Sequence, residues 1–161
     1  MFFYTFLFWA TYVILVGLAL YLCWKIGVAD MRRRIIPDAY LFPLLIIGMV
    51  LTTFFPWPFG PEVGVIGMAF GYMLAATVGA IFDRIIQKNN PTPNSPIGMG
   101  DIKLIAVGGM FLGPTGLAIA LAVACLFGAV WAHRKKQKFI PFAPFFIAGG
   151  ILSWITIAFL I

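Results

Sequence analysis

Acidic side chains are scarce in this sequence. There are five in 161 residues, against eleven basic ones, so a carboxylate-dependent chemistry has few places to sit. Charged residues of both signs make up only 10%, far below the roughly 25% of soluble domains, which excludes a sizeable water-facing surface. The two cysteines, Cys23 and Cys125, stand alone inside apolar runs, so neither a disulfide framework nor a zinc cluster can be built from them. The single histidine, His133, lies in a basic cluster with no carboxylate or cysteine near it in sequence. Ser95 and Ser153 have no specified basic partner, which leaves a serine triad without support.

What is abundant is apolar: 63% of residues are hydrophobic, 17% are aromatic, and the mean hydropathy is +1.04. Runs separated by charges or Gly/Pro punctuation fall at about Phe3–Trp24, Asp38–Phe55, Glu62–Phe82, Ile102–Leu112, Thr115–Ala132 and Pro141–Leu160. Each is read as a membrane span, which predicts an all-α integral membrane protein of six transmembrane helices, residues 1–161 forming one domain. The stretch from Phe2 to Trp24 has no basic n-region and too long an apolar core for a cleaved signal, so it is expected to be a retained first helix. Phe55-Pro56-Trp57-Pro58-Phe59-Gly60-Pro61 cannot continue a helix and has the aromatic content of an interfacial turn.

The fourth run is short, 11 residues reaching about 17 Å at 1.5 Å each. Merging it with the fifth would place Arg134–Lys138 opposite the other basic residues. With a break at Gly113-Pro114, all eleven fall on one side: Lys25, Arg32, Arg33, Arg34, Arg84, Lys88, Lys103, Arg134, Lys135, Lys136 and Lys138. Positive charge marks the cytoplasmic face. Both termini are therefore expected outside, with loops near residues 25–38, 83–101 and 133–140 in the cytoplasm. The same placement beside apolar runs explains the net charge of +6 without nucleic-acid binding.

Of the acidic residues Asp30, Asp38, Glu62, Asp83 and Asp101, all but Glu62 fall at the cytoplasmic ends of helices in this topology. Asp38 after Pro37 is expected to be a helix N-cap, Asp83 beside Arg84 a helix-end charge, and Glu62 a first-turn residue. Asp30 follows the first helix. Asp101 closes Pro96-Ile97-Gly98-Met99-Gly100-Asp101 and opens the short fourth helix. Two explanations stand for each. Asp101 can be an N-cap and Asp30 an interfacial carboxylate balancing arginines, or the two can be functional, since ionisable groups at membrane depth are costly to keep. Paired carboxylates are the one acid-base chemistry the inventory clearly offers.

Ala29-Asp30 followed by Arg34-Ile35-Ile36-Pro37-Asp38, then Gly98-Met99-Gly100-Asp101-Ile102-Lys103-Leu104, then Phe139-Ile140-Pro141-Phe142-Ala143-Pro144-Phe145 with Gly149-Gly150, resemble in order the motifs of the type IV prepilin peptidases. The resemblance covers the chain from about residue 26 onward. It implies a multi-pass aspartic endopeptidase of the bacterial inner membrane that cuts the basic leader from prepilins, pseudopilins or related precursors at the cytoplasmic face. Asp30 and Asp101 would be its catalytic pair, with Gly98, Gly100, Pro37, Lys103, Pro141, Phe142 and Pro144 supporting the motifs. No metal or cofactor is expected; the partners are precursor substrates and the lipid bilayer. The larger bifunctional members carry a Cys-x-x-Cys insertion and methylate the new amino terminus. No such motif follows the first run here, which argues against methyltransferase activity. An ion or proton transporter using the same aspartates, and a non-catalytic component of a pilus or secretion machine, are the alternatives.

Overall fold

The computed structural model describes residues 2–89, 97–135 and 140–160. Ser95, Pro96, Lys136, Lys138 and Phe139 lie outside these. The described residues form five α-helices and no strand: α1 (Phe2–Arg33), α2 (Asp38–Phe54), α3 (Pro61–Asn89), α4 (Met99–Lys135) and α5 (Phe142–Leu160). Three of them, over Phe3–Arg33, Pro61–Ile85 and Met99–Lys135, are long and apolar enough to cross a membrane; α2 and α5 are shorter apolar helices.

The helices end where local chemistry requires. Arg34 adopts φ 54° and donates its N–H to the Asp30 carbonyl at 2.9 Å, a left-handed closure of α1. Pro37, at φ −72° and ψ 129°, then holds the chain extended and launches α2. Phe55 is extended ahead of Pro56, as a residue before proline prefers. Pro61 opens α3 at the first helical position, where its missing N–H costs nothing. The expected interruption between α2 and α3 is present.

Two expectations are corrected. The first helix does not stop at Trp24 but continues to Arg33, because Arg32 and Arg33 in its last turn complement the carbonyl end of the helix dipole. Asp30 is thus helical rather than in a loop after the helix. The fourth and fifth runs form one helical element, α4, and its first part begins at Met99 rather than Ile102. The expected break is nonetheless there: Gly113 has φ 64° and ψ −179°, a conformation suited to glycine, and Pro114 has no N–H to return to the preceding turn. Near this break the Trp57 indole N–H donates to the Phe111 carbonyl at 2.9 Å.

The interior is built around α4. Its closest neighbour is α3, through glycines that bring the backbones together: a Cβ placed on Gly67 would lie 2.8 Å from the Gly113 Cα, and one on Gly109 2.8 Å from the Met68 nitrogen. Small residues serve this close approach between helices in lipid, where packing must replace hydrophobic exclusion. Helices α2 and α5 also lie against α4, while α1 lies against α2 and α5. Ile26, Leu51, Met110 and Leu117 are among the most deeply buried side chains.

Candidate active site

Both aspartates singled out in the sequence come to the same end of the bundle. Asp30 sits one turn before the end of α1 and Asp101 in the first turn of α4. No pair of Cα atoms from α1 and α4 among the described residues comes within 8 Å. The Asp30 carboxylate is nevertheless near enough to Asp101 for its charge to act on it.

Asp30 is held by the start of the neighbouring helix α5. It is only 5% exposed, and its Oδ2 accepts the Ala143 N–H at 2.8 Å; the Phe142 N–H also donates to it. The sequence explains why these two amides are available. Helix α5 follows Pro141 and carries Pro144 as its third residue, and neither proline has an N–H to offer. Of the amides that a helix N-terminus leaves unbonded, Phe142 and Ala143 are those that remain, and Asp30 takes both. The carboxylate also feels the positive charge of Arg34, the residue that closes α1.

Asp101 is partly buried. Its carboxylate accepts the backbone N–H of Gly98, while its own amide donates to the Gly98 carbonyl at 3.0 Å. A third-position carboxylate reaching back to the residue before the helix is one half of a capping box. Asp101 therefore does cap, but from the first turn rather than from the N-cap position, which Gly98 occupies. Gly100 lets this turn approach the α1–α2 connection: a Cβ there would lie 3.0 Å from the Ile36 Cβ.

Asp38 is not the N-cap of α2. Pro37 occupies that position and no side chain caps it; Asp38 is the first helical residue, where its carboxylate suits the positive end of the dipole. Its two oxygens instead accept from the Lys103 Nζ at 2.9 and 2.7 Å. This pair is half-exposed and ties the start of α2 to the first turns of α4. Nothing in the sequence marks Asp38 and Lys103 as partners, 65 positions apart. The sequence does not name Asp30 as the acceptor for the Phe142 and Ala143 amides either, although the prolines flanking them are a usable signal that amides there are free. Pro141, Phe142 and Pro144 thus frame the contact with Asp30 and Gly98 bonds Asp101, whereas Gly100 approaches Ile36 and Lys103 pairs with Asp38. Glu62 is in the first turn of α3 and Asp83 lies within that helix.

Residues 13–133 match the profile of the type IV leader peptidase family. The chain belongs to this family. Among its curated relatives is the prepilin leader peptidase/N-methyltransferase of Bacillus subtilis (strain 168), 29% identical over 140 residues, which cover 81% of this chain and 50% of the relative. The protein of the same description from Dichelobacter nodosus is 30% identical over 145 residues, 86% of this chain and 48% of the relative. That of Aeromonas salmonicida (strain A449) is 29% identical over 136 residues, covering 80% and 43%. The chain spans about half the length of the curated relatives it matches. No solved structure matches it. As a type IV leader peptidase family member with three long apolar helices, the chain is a multi-pass membrane protein.

Proposed function

We propose that this chain is an aspartic endopeptidase that removes the basic leader from prepilins, pseudopilins or related precursors at the cytoplasmic face of a bacterial inner membrane. The observation that carries the proposal is the convergence of Asp30 and Asp101, 71 positions apart in sequence, within electrostatic reach of each other at one end of the bundle. Two neighbouring carboxylates cannot both ionise cheaply, so one keeps a proton. The ionised partner takes a proton from a water molecule, which attacks the scissile carbonyl. The protonated partner donates to the carbonyl oxygen as negative charge develops there. The products are the leader, with a new carboxyl end, and the mature protein, with a new amino end.

The proposed topology has six spans, α4 counting as two across Gly113, and both termini outside. It places Arg32, Arg33, Arg34, Arg84, Arg134 and Lys135 on the aspartate side. Methylation of the product is left out of the proposal, since the α1–α2 connection here is only residues 34–37. The deciding experiment is cleavage of a prepilin by the purified, reconstituted protein. Wild type should cut before the mature segment and Asp101→Asn should not. An ion transporter or a non-catalytic pilus component would leave the precursor intact in both cases.

A further inference from the structure

An apolar cavity of about 380 Å³ separates the two helices that carry the aspartates. It reaches along α1 from Tyr12 to Cys23, about 16 Å at 1.5 Å per residue, and along α4 from Leu104 to Leu112, with α5 and, through Leu44 and Leu51, α2 as its other walls. Apart from the Tyr12 hydroxyl, the Cys23 thiol and two indole N–H groups, the side chains that line it are hydrocarbon. Leu20 on α1 and Ile151 on α5 line the cavity and are yet 52% and 47% exposed. The cavity is therefore open sideways between α1 and α5, at a depth where the surroundings of an apolar helix are lipid.

The two indoles differ. Trp57 Nε1 donates to the Phe111 carbonyl, whereas Trp154 Nε1 is buried and has no hydrogen-bond partner among the described residues. An unpaired buried donor costs about 1–3 kcal/mol, so this group calls for an acceptor. Trp154 packs against Trp57 with ring centroids 5.8 Å apart, next to the aromatic turn between α2 and α3 that suits headgroup level. On the proposed topology, on which this inference rests for its depth, the donor stands level with lipid ester carbonyls. A lipid ester carbonyl has no intramolecular donor of its own, so it meets this N–H without sharing a helix's backbone hydrogen bond.

We propose that this cavity binds one acyl chain of a glycerophospholipid, its ester carbonyl accepting from Trp154 Nε1 and its tail filling the gap between α1 and α4. The acyl chain braces α1 against α4, which have no close backbone contact of their own and carry Asp30 and Asp101 beyond the cavity.

The test is photolabelling of the full chain in vesicles of phosphatidylethanolamine and phosphatidylglycerol, using phosphatidylglycerol with a diazirine in one ester-linked chain. Label should concentrate on peptides containing Val16–Cys23 and Leu104–Phe111. Ala19→Phe, which fills the cavity, should cut it at least five-fold. Trp154→Phe keeps the ring and removes the donor, and should cut it about five-fold, the worth of one neutral hydrogen bond. An ether-linked probe, lacking the carbonyl, should label wild type about five-fold less and Trp154→Phe no less than the ester probe does. Equal labelling by ester and ether probes in wild type would overturn the proposal. So would wall labelling no stronger than at Val13 on the outer face of α1, or displacement of the lipid probe by an apolar helical peptide that itself labels these walls. The readout is independent of cleavage, so loss of the peptidase assignment would leave it standing.

Discussion

The Asp30 carboxylate accepts the Ala143 amide at 2.8 Å across 113 positions of sequence. With the Phe142 amide it closes the start of α5, so this residue has a structural duty as well as its proposed chemical one. Helix α5 hangs on α1 through the same side chain that is to act on water. Substitutions at Asp30 should separate the two duties.

Asp30→Asn retains a carbonyl oxygen that can accept from α5, so the protein should insert and keep its thermal stability to within about 1.5 kcal/mol. Asp30→Leu has no acceptor and leaves two amides unpaired, at about 1–3 kcal/mol each. Its melting temperature in detergent should fall well below that of Asp30→Asn. Both should be inactive, the first although folded. Equal stability of the two variants would show that the α5 contact contributes nothing.

For Asp101 the capping and catalytic roles make opposite forecasts. An asparagine oxygen can still accept the Gly98 N–H, as an amide replaces a carboxylate at this position of a capping box, but a carboxamide cannot serve as a general base, so Asp101→Asn should lose at least a hundred-fold in cleavage rate with little loss of stability. The double variant Asp30→Asn/Asp101→Asn should be scarcely slower than either single one, as expected for groups acting as a unit. Near wild-type cleavage by folded Asp101→Asn would leave capping as its whole role.

Asp38 and Lys103 form a half-exposed pair, a class worth about 0–1 kcal/mol. Asp38→Asn should retain most of the cleavage activity and shift stability by less than 1 kcal/mol, measured by thermal unfolding in detergent. A loss comparable to that of Asp101→Asn would place Asp38 in the chemistry.

Gly67 and Gly109 hold α3 and α4 at backbone contact. A side chain at either position must push the helices apart, and overpacking of this kind costs about 1–3 kcal/mol or more. Gly67→Leu and Gly109→Val should lower the folded yield sharply, whereas Gly17→Ala, which meets nothing within 4 Å, should be neutral. Size-exclusion profiles of the detergent-solubilised variants provide the comparison.

The proposed orientation predicts one-sided labelling. In a Cys23→Ala/Cys125→Ala background, single cysteines at Pro58 or Thr115 should react with a membrane-impermeant thiol reagent from outside, and one at Lys135 should not. Reaction at Lys135 would exclude six spans with both termini outside.

Composition and pattern alone determined the apolar, all-helical character of the chain, the turn at Phe55–Pro61 and the break at Gly113-Pro114. Each depends on local chemistry: proline's missing donor, glycine's freedom at positive φ, and runs of apolar residues long enough for lipid. The same locality explains the errors. Nothing near Trp24 signals that α1 continues to Arg33, because a helix passing from an apolar run into a basic turn keeps its backbone bonds throughout. Asp38 resembles an N-cap until Lys103 is seen opposite it. The tertiary structure decided which groups meet: Asp30 with the two amides that Pro141 and Pro144 leave at the start of α5, Asp101 within reach of Asp30, Asp38 with Lys103, and α1 separated from α4 by a cavity. Those relationships are set by how five helices pack, through contacts between residues tens of positions apart, and no local pattern encodes them.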